Sequence, residues 1–426
     1  MKPYSLLILC FFIMNSLFPQ EAAGDSAAII KEGIFDENIK TVLFHRAGWD
    51  LAPPLIMSGS DEKLELSFDL LYDPPVDFSY TIIHCNARWE PSDLQTYEYI
   101  EGYTEEDIYD YSSSRNTIIP YTHYRATFPT GYMEPKIPGN YIMEVYDAGT
   151  GEVYFTRRFM VAGRKVSIEG SVKRATVATR KQNGQEVDFV VDAGDYRIHN
   201  GYENLTVVVR QNGRYDNAIT DLKPRMIVGN RFDYNYEREN VFEGGNEFRY
   251  FDLKNLDFPG EGVAATGYGP EGYTITLKPD EKRSFRVYKT EKDINGKMKP
   301  DRMHSGDPAT EAEYAYVGFF LSFAAPVIDG EVHILGALTD WGYTGLSRMD
   351  YDYKKKGYTK ELLLKQGYYN YLYALVPHGS GTGDVTYIEG SHWETENSYS
   401  IEVYYKDPLL GSDLLIGVKH LSSLPE

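Results

Sequence analysis

The chain has 426 residues, with 43 Lys and Arg against 63 Asp and Glu, for a formal charge of −20, and it carries 37 tyrosines. So acidic a surface repels phosphate backbones and anionic lipid, which argues against a nucleic-acid partner. There are two cysteines, and Cys10 lies in an N-terminal apolar run, so an internal disulfide is not expected and the fold must rest on core burial. The length allows two or three domains of ordinary size.

The chain opens on "MKPYSLLILCFFIMNSLFPQEAAG". One lysine precedes an apolar run from Leu6 to Met14, and small residues follow at Ala22, Ala23 and Gly24. This layout predicts a secretory signal peptide over 1–23 and an exported, soluble mature chain. The run is short for a membrane anchor. Cleavage would remove Lys2 and Glu21 together, leaving the charge at −20. Residues 24–33 then read as a flexible arm.

Beyond the arm, apolar residues alternate with polar ones. Leu64, Leu66, Phe68 and Leu70 share one face of "LELSFDLL", and Tyr141, Met143 and Val145 do so in "YIMEVYD". Leu205, Val207 and Val209 lead to an Asn212-Gly213 turn. Tyr399, Ile401, Val403 and Tyr405 line up in "SYSIEVYY". Period two with frequent turn signals predicts half-buried antiparallel strands. At most a helical turn is expected near "PSDLQ" and "TEEDIYDY". The fold class is therefore all-β, as tandem antiparallel β-sandwich domains of Ig-like or early-set-like type. Polar, Gly- and Pro-bearing stretches place them at 34–163, 164–310 and 311–426.

Candidate chemistry is sparse. In "FSYTIIHCNARW", His84 and Cys85 are neighbours on a strand and face opposite sides, so they do not pair as base and nucleophile. A buried cysteine packing as a small hydrophobe is the reading that fits. The nine histidines form no HxH, HExxH or CxxC pattern. "DINGKMKPD" lacks the acid spacing of a calcium loop and reads as a turn. There is no GxSxG, and no carboxylate pair stands out from so acidic a chain. No catalytic residue, metal or cofactor is expected.

Tyrosines are the more informative feature. Tyr97, Tyr99, Tyr103, Tyr109, Tyr111, Tyr121 and Tyr124 crowd a segment rich in acids and loop formers. Exposed aromatics on loops point to recognition; rings capping a sandwich edge are the structural alternative. In the last domain, "GEVHILGALTDWGYTGLSRMDYD" and "YTKELLLKQGYYNYLYAL" resemble the early-set sandwich of glycogen-binding modules. Under that reading Trp341 and Trp393 are candidates for stacking on a sugar.

Longer stretches resemble one family throughout: "YTIIHCNARWEPSDLQTYEYIEGY", "NTIIPYTHYRATFP" and "PGNYIMEVYD", then "PRMIVGNRFDYNYERENVFEGGNEFRYFDLKNLDFPGEGV", "DPATEAEYAYVGFFLSF", "LKQGYYNYLY" and "EGSHWETENSYSIEVYY". They resemble the plug protein of the type IX secretion system of Bacteroidota. The resemblance covers nearly the whole mature chain and brings no catalytic residues with it. It implies a periplasmic protein of β-sandwich domains that sits at the mouth of the outer-membrane β-barrel translocon and seals its pore when no cargo passes. It implies a protein partner, no nucleic acid, no insertion into the membrane, and a monomer when free. Asp25-Ser26-Ala27 also resembles the O-glycosylation acceptor motif of some exported Bacteroidota proteins, with Ser26 as acceptor. Two other readings stand beside the plug: a glycan-binding or glycan-processing protein, and a periplasmic scaffold that captures partners by strand addition.

Overall fold

A computed structural model describes residues 32–71 and 74–424. The expected signal peptide, most of the arm and Ser26 lie outside the described residues. What is described is nearly all β, 47% strand and 6% helix, arranged as three sandwiches of mainly antiparallel sheets, with parallel pairs where Leu55–Met57 joins Val153–Ala162 and where Gly272–Leu277 and Asp280–Glu281 join Tyr314–Ser322.

The first sandwich packs two sheets. One runs Gly33–Ile34, Val153–Ala162, Gly139–Asp147, Phe78–Cys85, Glu105–Asp107, with Leu55–Met57 added in parallel to Val153–Ala162. The other runs Ile39–Arg46, Leu64–Leu71, Tyr121–Phe128, Asp110–Ser113. Leu64, Leu66, Phe68 and Leu70 meet Tyr141, Met143 and Val145 in one core, all 5% exposed or less. The alternation thus selects the inward face. The arm stops earlier than its composition predicts, because Gly33 pairs with Thr156 and Glu32 accepts from the Arg158 amide at 3.1 Å.

The second sandwich is discontinuous. Its five-stranded sheet comes from Ser167–Arg174, Gly184–Asp192, Met226–Val228, Arg231–Asp233 and Val241–Glu243. Its other sheet pairs Leu205–Gln211 with Ser398–Lys406, which pairs in turn with Asp413–Ser422. Val207, Val209, Ile401 and Val403 are completely buried between the two sheets. The last hairpin of the chain therefore completes the second domain, and the third sandwich is inserted into it. This corrects the division at 164–310 and 311–426, which followed chain order. The Asn212-Gly213 turn forms with both φ positive, but the long strand before it pairs with residues nearly 200 positions away.

In the third sandwich Val263–Gly269, Gly272–Leu277, Tyr314–Ser322, Gly357–Lys365 and Asp350–Asp352 make one sheet, with Asp280–Glu281 beside Tyr314–Ser322. Gly367–Pro377 takes Arg249–Asp252, Met298–Pro300 and Gly330–Leu335 as partners in the other. The expected helical turn near "PSDLQ" forms at Thr96–Tyr99, but "TEEDIYDY" gives two short strands instead.

All three junctions between sandwiches are built. Between the first and second, Cys85, Trp89, Ile142, Met160, Tyr404 and Leu415 share one apolar cluster. The Gly163 amide donates to the Leu415 carbonyl at 2.7 Å, and Tyr404 Oη donates to Asn140 Oδ1 at 2.8 Å. Between the second and third, Tyr343 Oη donates to Asp216 Oδ2 at 2.8 Å, and Gln185 Nε2 donates to the Trp393 and Thr395 carbonyls.

The first and third meet around Asp69, which is 0% exposed. It receives Lys365 Nζ at 2.7 Å, Tyr314 Oη at 2.6 Å and His123 Nδ1 at 2.7 Å. Burial alone would raise the pKa of this carboxyl, but Lys365 and His123 outweigh it and hold it below the usual carboxylate range. Burial pulls Lys365 the other way, below an ordinary lysine, while Asp69 opposes the shift. Three donors converging on Asp69 fit the anion, so the charged pair is the state the geometry supports. Glu313 adds contacts to the Ile118 and Ile119 amides, and Tyr121 Oη donates to the Ala312 carbonyl at 2.8 Å.

Removing one partner of a buried pair leaves the other uncompensated, at about 3–5 kcal/mol. Asp69→Asn and Lys365→Met are each expected to destabilise the full chain on that scale in urea unfolding. The double variant should lose less than the sum. A carboxyl whose pKa is depressed in the fold stabilises above its unfolded pKa of about 4 and loses that contribution as the pH falls. The gap between wild type and Asp69→Asn should therefore narrow below about pH 4.

Candidate partner interface

The strand Phe78–Cys85 ends in a tight turn, with Trp89 at φ 66° and its amide donating to the Asn86 carbonyl at 3.0 Å. The chain then makes the helical turn Thr96–Tyr99. Glu98 fastens its start by accepting from the Gln95 amide at 2.7 Å. Next, Ile100–Gly102 pairs with Met133–Pro135. At Gly102 φ is +93°, and a Cβ there would lie 1.9 Å from the Tyr132 carbonyl oxygen. Only glycine permits that approach. It brings Tyr103 and Tyr132 into a stack with centroids 6.1 Å apart.

From there the chain supplies one edge to each sheet of the first sandwich. Glu105–Asp107 closes the larger sheet beside Phe78–Cys85, and Asp110–Ser113 closes the smaller beside Tyr121–Phe128. Between the two edges Ile108 is 4% exposed and anchors the crossing, with its amide on the Phe78 carbonyl at 2.8 Å. Its neighbour Tyr109 points out, 81% exposed. The acids along this edge are held by hydroxyls. Ser79 Oγ and Tyr109 Oη donate to Asp107 at 2.6 and 2.7 Å, Tyr146 Oη to Glu105 at 2.7 Å, and Thr130 Oγ1 to Glu106 at 2.7 Å. The bonds from Ser79 and Tyr109 keep the Asp107 carboxyl below its usual pKa.

The seven tyrosines singled out from the sequence divide. Tyr97, Tyr103, Tyr109 and Tyr111 are exposed, and Tyr99, Tyr121 and Tyr124 are buried. Tyr124 faces the sandwich core, stacked on Phe68 at 5.0 Å. Tyr121 faces the opposite way, into the junction with the third sandwich, and Lys365 Nζ lies 4.1 Å above its ring. Tyr99 packs near His84 and Tyr141. These three are structural, which corrects their candidacy for partner contact. Tyr132, 69% exposed, belongs with the outward group. Its only sequence signal was a place after Gly131 in a turn.

His84 and Cys85 do lie on opposite faces. His84 is buried beside Tyr141, with Nδ1 2.9 Å from Ser92 Oγ, and burial lowers its pKa to about 4. Cys85 sits on the other side, in the junction with the second sandwich, and burial pushes its thiol up to about 12. Among the described residues no group of three or more His, Cys, Asp or Glu is placed to hold a metal ion. In "DINGKMKPD", Asp293 accepts from the Phe248 and Asn295 amides, which shapes a turn.

The two tryptophans have separate surroundings. Trp341 meets Phe248 edge-on at 6.0 Å, and Arg174 covers Trp393 at 4.8 Å. Trp341 borders a cleft of about 1580 Å³ that residues of all three sandwiches line. There Lys297 Nζ donates to the Leu51 carbonyl at 2.5 Å, tying the third sandwich to the first.

With its thiol protonated and covered, Cys85 should resist maleimide labelling at pH 8 in the native protein and react fully in denaturant. Fast native labelling would contradict its placement.

Against known proteins, residues 39–163 match the family model described as the type 9 secretion system plug protein 1st domain. A crystal structure of a hypothetical protein from Parabacteroides merdae is 34% identical. The match covers 92% of this chain and 98% of that one, with a TM-score of 0.89. Dimeric latent PorU from Porphyromonas gingivalis is 10% identical, over 90% of this chain and 34% of its own, with a TM-score of 0.16, too low to indicate a shared fold. No curated protein matches. A first sandwich matched from strand Ile39–Arg46 to the interdomain link, in a chain that shares its whole fold with a solved relative, places this protein in the type 9 secretion system plug family.

Proposed function

We propose that the protein is a periplasmic plug that docks on the outer-membrane β-barrel translocon of the type IX secretion system and seals its pore while no cargo passes. It acts by filling space and catalyses no reaction. Family membership supports the link to type IX secretion. The observation that carries the mechanical part is the set of three junctions. Asp69 with Lys365, Asn140 with Tyr404, and Asp216 with Tyr343 join each sandwich to both others. A chain of domains on loose tethers would deform under a passing substrate, whereas a mutually braced triangle keeps its shape.

A stopper must also leave. That calls for a docking surface that is partly polar, unlike the apolar interfaces of permanent complexes. The tyrosine edge of the first sandwich is a surface of that kind.

Cells that keep the translocon but lack this protein should admit hydrophilic probes that the intact outer membrane excludes, and the wild-type gene should restore the barrier. Equal permeability with and without the protein would reject occlusion.

A further inference from the structure

Between Arg88 and Arg115 the chain carries Glu90, Asp93, Glu98, Glu101, Glu105, Glu106, Asp107 and Asp110, with no Lys, Arg or His. These 26 residues hold −8 of the formal −20. They also carry four exposed tyrosines, of which Tyr111 leans on Tyr124 at the sandwich edge, and Tyr132 stacks on Tyr103. Elsewhere the large exposed apolar side chains, such as Val287 and Leu409, are spread along the chain. The edge of the first sandwich therefore joins the densest group of exposed rings to a run of carboxylates, in which Lys136 lies 3.5 Å from Glu101 and Arg125 stands opposite Asp110 on the next strand while the acids still outnumber these bases.

That combination selects a partner chemistry. Tyrosine faces attract Lys and Arg through the ring quadrupole, and nearby carboxylates add charge-assisted hydrogen bonds. A second copy of this chain would oppose acid to acid, so self-association through this edge is disfavoured. Strand addition fits poorly too. Glu105–Asp107 is three residues long and wholly acidic, and short charged edges block pairing of that kind. The contact is left to side chains.

We infer that the tyrosine edge of the first sandwich, centred on Tyr103, Tyr109 and Tyr132 with Glu101, Glu105 and Asp110, docks a Lys- and Arg-lined protein surface. The inference rests on the plug reading for where that surface lies, namely on the translocon barrel. Electrostatic attraction brings the two together and the rings hold them, so docking weakens as ionic strength rises.

The test uses the full chain immobilised as wild type and as the triple variant Glu101→Gln, Glu105→Gln, Asp110→Asn, with detergent-solubilised outer membranes as the probe. Matching melting temperatures establish that the variant is folded. Wild type is expected to recover one very large barrel at 50 mM salt and about tenfold less at 300 mM. The triple variant is expected to recover about tenfold less at 50 mM, with a flatter salt dependence. Zero-length carbodiimide coupling of the wild-type complex should join carboxylates of residues 98–110 to partner lysines. Equal recovery by the variant, or cross-links confined to other surfaces, overturns the inference and leaves the plug reading standing. If wild type recovers no barrel, both fall.

Discussion

The pairing of Leu205–Gln211 with Ser398–Lys406 is the constraint on which the architecture depends. It closes a loop that contains the entire third sandwich, so that domain is held at both its entry and its exit. It also sends the final strand, Asp413–Ser422, back against the first sandwich, where Asp413 accepts from the Ala87 amide at 3.0 Å and Leu415 from Gly163. One non-local ladder thus turns three domains in sequence into three domains in mutual contact. The cost of closing so long a loop rises only slowly with its length. The buried faces of Val207, Val209, Ile401 and Val403 are ample reason for the ladder to form.

Bracing is completed by polar contacts at what would otherwise be outer faces. Asp69 sits between Phe68 and Leu70, whose side chains enter the core of the first sandwich, so its own points away from that core. The third sandwich covers it there and brings Lys365 and Tyr314 to its oxygens. A hydrophobic junction could be wrong by a register step and still stick. A carboxylate that must meet three donors fixes how the two bodies sit.

This explains what was legible in the sequence. Alternation revealed strands and inward faces correctly, because period two is a local property. It did not reveal that the outward faces of Leu64–Leu71 and Tyr121–Phe128 are covered at the end that carries Asp69, His123 and Tyr121, since nothing in local alternation marks a side chain that a remote domain will cover. For the same reason Tyr121 was grouped with exposed rings. Domain boundaries drawn in chain order missed the insertion, because which remote strand completes a sheet leaves no mark on local periodicity. The outward tyrosines were legible because they lie among acids in short, turn-bounded segments that offer them little to pack against.

A braced body with one charged, aromatic edge is suited to closing an opening it does not line. Conductance of the purified translocon in a planar bilayer tests this most directly. Addition of the protein to the periplasmic side is predicted to close a large open channel, and high salt to reopen it. A channel whose conductance is the same before and after saturating addition would contradict the account.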